Sequence, residues 1–139
     1  MQKIWDFNGG IHPEQNKTQS TQQAIITAPL PSQLIIPLQQ HIGNTSKPCV
    51  KIGDKVKKGQ LISEAQGPIS VSVHAPTSGI IQDICESKVA HPSALTDICL
   101  TIEPDGNDEW LSAPLDRDYS KLTVKEILHI VRESGIAGM

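Results

Sequence analysis

The stretch between Pro48 and Ile84 constrains the fold more than any other part of the sequence. It contains two short β-branched segments, the first interrupted by Gly53-Asp54 and the second by Ser78-Gly79. Gly59 adds a further bend inside the first segment. Because glycine adopts positive φ without steric cost, each glycine predicts a chain reversal between strands. Two successive strand–turn–strand units predict a small β structure that folds over on itself.

Composition supports strands and narrows the classes of partner. The length of 139 residues suits one domain with an appendage. Aromatic residues make up only 3% of the chain, so the core must come from Ile, Val and Leu, which favour strands. The formal net charge is −3, with both signs interspersed. This balance argues against nucleic acid as the main partner.

Three cysteines lie far apart in the sequence: Cys49, Cys85 and Cys99. They form no C-x-x-C motif, so they predict reduced thiols rather than a disulfide framework, and they have neither zinc nor ferredoxin-like spacing. No metal site is therefore expected. No apolar run approaches the roughly 18 residues that a bilayer-spanning helix needs, so we expect no direct membrane span.

The chain divides into three predicted parts. Residues 1–23 form a polar N-terminal arm, broken by glycines and prolines. Residues 24–120 form the β domain, whose body spans about 24 to 104. Pro29, Pro31 and Pro37 forbid a helix at its start and confine strands there to edges.

The second half of the β domain predicts one further strand. Cys85 to Ala94 is polar and predicts a connection rather than a strand. Ile98, Leu100 and Ile102 then alternate with more polar residues, which predicts a half-buried strand. Trp110 and Leu111 are predicted anchors in the acidic segment that follows.

Residues 121–139 change character and predict a helix from Val124 to Ser134. Thr123 and Glu126 form a capping box, and Gly135 stands where a helix-ending glycine is expected. The apolar residues recur at helical spacing along one stripe, which comprises Val124, Ile127, Leu128 and Val131. We expect part of this stripe to be exposed and to seek a partner, in a following domain or in a second copy.

No constellation of residues indicates catalysis. None of the five histidines lies at metal-binding spacing from another, and a lone histidine is usually structural or solvated; they are His12, His41, His74, His91 and His129. His74 interrupts an apolar strand, and an independent enzyme domain using it is the weakest of three functional hypotheses. Ser72, Thr77 and Ser78 lack a nucleophile elbow, so they are interpreted as turn-forming hydroxyls. Lys55, Lys57 and Lys58 predict a solvated basic face.

The pattern V-x-x-G-D-x-V-x-x-G-Q-x-I from Val50, followed by A-P-x-S-G from Ala75, is similar to lipoyl and biotinyl carrier domains. The resemblance implies a mainly β barrel-sandwich hybrid, here with a C-terminal helix. Carriers attach their prosthetic group to a lysine on a hairpin between the two glycine turns. The corresponding residues 61–70 contain no lysine. A carrier domain is therefore the disfavoured alternative.

Collinear motifs along nearly the whole chain resemble the N-terminal region of the RnfC family, the C-type subunits of Rnf-type ion-translocating electron-transport complexes. The motifs occur in the family's order: FNGGIHP from Phe7, PLP from Pro29, IPLQQHIG from Ile36, GDKVKKGQ from Gly53, VHAPTSG from Val73, HPS from His91 and IEPDGND from Ile102. The resemblance implies a non-catalytic assembly or docking domain. Its partners would be the other subunits of the complex and the C-terminal domains of its own parent chain.

The same resemblance implies properties of a longer parent protein. The Rnf-type complex passes electrons between ferredoxin and NAD, coupled to ion movement, and RnfC lies on the cytoplasmic side of the bacterial inner membrane. RnfC proteins use FMN, NAD and two [4Fe–4S] clusters held by later domains. Gly135 and Gly138 resemble the start of the glycine-rich loop that binds the flavin nucleotide. The cluster motifs are absent from the 139 residues, so we expect this segment to bind neither cluster nor FMN by itself.

Overall fold

The computed structural model describes residues 9–10, 13–112 and 118–137 of the chain. Over this part the protein is mainly β with one substantial helix at its C-terminal end, as predicted. Seven strands occur in the described residues: β1 Leu34–Pro37, β2 Lys47–Pro48, β3 Lys55–Val56, β4 Leu61–Glu64, β5 Val73–His74, β6 Gly79–Lys88 and β7 Thr96–Pro104. A short helix α1 spans Thr18–Thr21, a 3-10 turn spans Tyr119–Lys121, and helix α2 spans Val124–Glu133.

The strands form two antiparallel sheets that enclose one apolar core. The larger sheet has the order β1-β7-β6-β3, and the smaller has the order β2-β4-β5. Both sheets contribute aliphatic side chains to a single cluster, made of Ile36, Leu38, Val56, Ile62, Val73, Ala75, Ile81, Leu100 and Ile102. The absence of aromatic residues from this cluster follows the composition.

Two of the three predicted glycine turns are confirmed. Gly53 has φ +89°, and the Asp54 N–H donates to the Lys51 carbonyl at 3.1 Å to close the turn. The Asp54 carboxylate also accepts the Lys51 N–H at 2.8 Å. Gly59 has φ +77°, and its N–H donates to the Ala75 carbonyl at 2.8 Å, which joins the two strand–turn–strand units.

The predicted positive φ at Gly79 is wrong, and packing explains this glycine instead. Gly79 is the first residue of β6 and is absent from the positive-φ glycines. A Cβ at this position would lie 2.2 Å from the Glu103 carbonyl oxygen of β7. Glycine therefore allows β6 and β7 to approach where their ladder begins. The bend that precedes it lies at residues 76–78.

The predicted polar connection from Cys85 to Ala94 is also wrong. β6 continues to Lys88 and pairs with β7, with Cys85 opposite Cys99 and Lys88 opposite Thr96. The ladder hydrogen bonds supply the stability here, so this end of the strand needs no regular apolar alternation.

The predicted half-burial of β7 is wrong as well. Cys99, Leu100, Thr101 and Ile102 are all buried. The reason is that β7 is a central strand between β1 and β6. A strand covered on both faces loses the period-two pattern of burial.

The start of the β domain matches the expectation of an edge strand. β1 is the outer strand of the larger sheet and contains Pro37. However, Ile25 and Ile26 upstream are 103% and 83% exposed, so regular structure of the sheet begins only at Leu34. The polar arm contains the unpredicted helix α1, while its large apolar residues Trp5, Phe7 and Ile11 lie outside the described residues.

Helix α2 begins and ends where the sequence predicts. The Thr123 hydroxyl accepts the Glu126 N–H at 3.3 Å, and the Glu126 carboxylate accepts the Thr123 N–H at 2.8 Å, which confirms the capping box. The predicted apolar stripe is largely uncovered: Val124 is 74% exposed and Leu128 is 65% exposed. The helix therefore lies against the β domain without burying its apolar face.

We predict that Gly79→Ala lowers the free energy of unfolding by about 3 kcal/mol or more, because the added methyl group overlaps the β7 backbone. Urea denaturation followed by circular dichroism measures this. Gly53→Ala is the matched control, since Gly53 has nothing within 4 Å of the added carbon. It should cost only about 1 kcal/mol, from backbone strain at positive φ. Equal losses in the two variants would contradict a role for Gly79 in the close approach of β6 and β7.

Candidate functional site

The connection from β4 to β5 is the place where a carrier domain would display its lysine. In this protein the connection is fixed to a neighbouring loop. Asn44 donates its backbone N–H to the Ile69 carbonyl at 2.9 Å and its side-chain amide to the Gln66 carbonyl at 3.1 Å. The Ser70 hydroxyl in turn donates to the Asn44 carbonyl at 2.9 Å. The connection is therefore anchored along its length instead of projecting freely.

Gly43 allows this loop to lie so close. It has φ +143°, and a Cβ there would lie 2.4 Å from the Ile69 carbonyl oxygen. This gives a physical reason for the glycine that ends the IPLQQHIG motif.

Helix α2 fixes the same connection from the other side. The Arg132 guanidinium donates to the Gly67 carbonyl at 2.7 Å. Gly135, just after the helix, has φ +69° and leaves no room for a side chain, since a Cβ would lie 2.4 Å from the Ser72 carbonyl oxygen. The predicted helix-ending role of Gly135 is confirmed, because its N–H donates to the Arg132 carbonyl at 3.1 Å. Gly138 lies outside the described residues.

A polar cleft of about 370 Å³ lies between the smaller sheet and the end of α2. Its walls include His41, Ser72, His74 and Gly135. The Val71 N–H donates to His41 Nε2 at 3.2 Å, which places the imidazole proton on Nδ1, where it can donate to the Ile42 carbonyl at 3.0 Å. His41 therefore serves as a backbone brace.

His74 contributes a partly buried imidazole to this cleft. Burial lowers its pKa below the usual 6.5, and the nearby Glu133 carboxylate partly opposes this shift. Within the described ranges no side chain hydrogen-bonds to His74, and Ser72 makes no pair with it. The arrangement lacks the nucleophile–base contact that covalent catalysis requires.

A larger apolar groove of about 610 Å³ adjoins this cleft. One wall comes from the β4–β5 connection and the loop before β2, and the other from α2 and the residues after it. The apolar lining comprises Ile42, Pro68, Ile69, Val71, Leu128, Val131, Ile136 and Ala137. Ile42 is 96% exposed and Ile69 is 65% exposed. Such a concentration of exposed aliphatic side chains is typical of an interaction surface.

The basic run at the other end of the domain is structural. Lys57 pairs with Glu109 at 2.6 Å and Lys58 with Asp108 at 2.5 Å, so the predicted solvated basic face is wrong for these two lysines. Lys58 also lies 5.0 Å from the centre of the Trp110 ring, although the predicted anchor Trp110 remains 49% exposed.

The Ser78 hydroxyl confirms its predicted role in shaping the turn. It donates to Asp105 at 2.7 Å and accepts the Glu109 N–H at 2.9 Å. The hydrogen bond from Ser78 holds the pKa of Asp105 below its usual value.

No group of three or more potential metal ligands occurs in the part of the chain that the structure describes. Cys85 and Cys99 face each other across β6 and β7, while the exposed Cys49 lies elsewhere. Likewise, no helix within residues 9–10, 13–112 and 118–137 is long and apolar enough to cross a bilayer.

The fold and this site define a class of protein: a barrel-sandwich hybrid whose carrier hairpin lacks lysine and is anchored in place. The chain belongs to the family of the RnfC barrel sandwich hybrid domain, whose family model matches residues 5–107. This confirms the fold class and the family that the motifs indicate.

Several bacterial proteins named as the C-type subunit of an ion-translocating oxidoreductase complex are similar over 99% of this chain. The relative from Serratia proteamaculans (strain 568) is 49% identical, that from Yersinia pestis bv. Antiqua (strain Antiqua) 46%, and that from Vibrio cholerae (strain O395) 44%. The chain spans only about a fifth of these relatives, covering 19%, 22% and 18% of their respective lengths.

We predict that His74 titrates below pH 6.5, because burial disfavours the imidazolium in the folded state. Glu133→Gln should lower the pKa further, since it removes the carboxylate that favours the imidazolium. Two-dimensional NMR of the imidazole resonances measures both midpoints. The unfolded chain binds more protons here, so this contribution to stability is present above pH 6.5 and is lost as the pH falls through the folded pKa. A midpoint at or above 6.5 would show that His74 is not desolvated.

We also predict that Arg132→Ala loosens the β4–β5 connection. The lost hydrogen bond from a charged donor should cost about 1 kcal/mol, which corresponds to roughly fivefold faster hydrogen exchange at the Asn44 and Val71 amides if these open locally. Lys125→Ala, on the exposed side of the same helix, is the matched control and should leave both amides unchanged. Unchanged exchange in Arg132→Ala would mean that the guanidinium contact does not hold the connection.

Proposed function

We propose that this chain is a non-catalytic assembly and docking domain within one subunit of an ion-translocating electron-transport complex. The observation that carries the proposal is the way the β4–β5 connection is held. It has no lysine, it is anchored by Asn44 and Arg132, and it forms one wall of an exposed apolar groove. The part of a carrier that presents a prosthetic group has here become part of a surface.

Chemistry in the described residues does not compete with this role. The cleft around His74 offers an isolated imidazole, and the His41 ring beside it serves the backbone. Enzyme sites instead bring several polar groups together in a pocket that is largely enclosed. The exposed aliphatic groove is better suited to packing against a protein surface than to turning over a substrate.

At the level of the parent protein, we propose that the complex passes electrons between ferredoxin and NAD, coupled to ion movement. We place the parent protein peripherally on the cytoplasmic side of the bacterial inner membrane. FMN, NAD and two [4Fe–4S] clusters would be bound outside this segment. The support is the family membership together with the name of the relatives, which are subunits of an ion-translocating oxidoreductase complex.

Gly135 and Gly138 remain proposed flavin-loop residues of that parent. The structure gives Gly135 an additional reason to be glycine, since its N–H is bonded within the helix end and its α-carbon packs on Ser72. With that N–H occupied, Gly135 would contribute to a flavin site through backbone shape, not as a hydrogen-bond donor.

Assembly is tested by placing a charge on the groove in the full-length RnfC protein. We predict that Leu128→Glu lowers the recovery of the assembled complex at least fivefold, because a carboxylate cannot be buried against an apolar partner without a compensating interaction. Lys125→Glu adds a carboxylate on the same helix outside the groove and is the control. Circular dichroism of both variants checks that the fold is intact. Normal recovery of the complex with folded Leu128→Glu would contradict the docking role.

The carrier alternative and the cofactor expectation have a direct test. The purified 139-residue chain, expressed in cells supplied with lipoate and biotin, should show its unmodified mass and no flavin or iron–sulfur absorption. An added lipoyl or biotinyl mass would establish carrier function. A flavin or cluster spectrum would place a cofactor site in this segment.

A further inference from the structure

We infer that the groove between the β4–β5 connection and helix α2 is the binding site of a later segment of the same polypeptide. This inference rests on the proposed function and names its partner. It concerns one surface, which we call the hairpin–helix groove: Ile42, Pro68, Ile69, Val71, Leu128, Val131, Ile136 and Ala137.

Both walls of the groove are preformed. The β4–β5 wall is held by hydrogen bonds of Asn44 to Gln66 and Ile69. The helix wall is attached to it by Arg132 on Gly67. A surface that is rigid before binding loses little conformational entropy when a partner docks, so even a modest apolar contact can be stable.

The polar groups at the groove are already satisfied. The Arg132 guanidinium bonds the Gly67 carbonyl, and His41 bonds backbone groups of Ile42 and Val71. The aliphatic side chains are the ones that remain uncovered, with Leu128 65% exposed and Ile136 59% exposed. The occupant is therefore expected to present aliphatic side chains.

The size of the groove favours a tethered occupant over a second copy. Its eight side chains are already partly covered and can bury at most about 500 Å² more, whereas a standard stable interface buries about 800 Å² on each partner. A segment of the same chain needs less area, since a short linker supplies an effective concentration in the millimolar range.

The position of the chain supplies the tether. Ile136 and Ala137, the last described residues, line the groove itself. The relatives extend to about five times the length of this chain, as its 19% coverage of the Serratia proteamaculans protein shows. Sequence that continues from this point leaves directly beside the groove and can fold back onto it.

Site-specific photo-crosslinking in the full-length RnfC protein, assembled with the other subunits, tests this occupant. Benzoylphenylalanine replaces Ile69 on one wall, and Ile25, which is fully exposed and lies outside the groove, is the matched control position. After irradiation, peptide mass spectrometry identifies the captured segment. We expect the Ile69 probe to capture a segment of the same polypeptide C-terminal to residue 139, at least fivefold more than the Ile25 probe does.

The alternative outcomes overturn the inference in distinguishable ways. Capture of a different subunit would overturn the intrachain occupant while leaving the assembly role in place. Capture of residues 1–139 from a second copy, confirmed by a crosslinked dimer, would make the groove a self-association surface. Capture no greater than at Ile25 would mean that the groove is uncovered in the complex. Complex recovery with Leu128→Glu is independent of these outcomes and tests the docking role separately.

Discussion

The hydrogen bonds that hold the β4–β5 connection determine how this molecule can work. Asn44 bonds this connection at Gln66 and Ile69, and Arg132 bonds it at Gly67. Each bond contributes about 1 kcal/mol, but together they fix a segment that would otherwise be a free hairpin. The fixed connection defines one wall of the apolar groove and positions helix α2 as the other. The docking role proposed above depends on that rigidity.

A carrier and this domain place opposite demands on the same hairpin. A carrier hairpin must project into solvent so that its modified lysine can reach several active sites. Here the connection lacks the amine and lies between a loop and a helix. Gly43 and Gly135 show how closely these neighbours approach, since a Cβ at either position would lie 2.4 Å from a backbone carbonyl oxygen of Ile69 or Ser72. The scaffold is retained, while its proposed function has moved from a side chain to a surface.

Local signals in the sequence predicted what local chemistry controls. The capping box of Thr123 and Glu126, the turn at Gly53 and the edge position of β1 all depend on residues close in sequence. The errors concern contacts between distant residues. Gly79 serves the approach of Glu103, the polar end of β6 pairs with β7, and Lys58 bonds Asp108 fifty residues away. The missing lysine was visible in the sequence, but the groove was not, because Arg132 and Gly67 are far apart in the chain and the bond involves a backbone carbonyl.

The rigidity of the β4–β5 connection can be measured through the backbone dynamics of residues 66–71. NMR relaxation on the unmodified 139-residue chain gives an order parameter for each non-proline amide in this segment. We expect values near 0.85, equal to those of the β6–β7 ladder, because the connection is anchored on both sides. Values below about 0.6, with the ladder remaining rigid, would show a mobile hairpin and contradict a preformed docking wall.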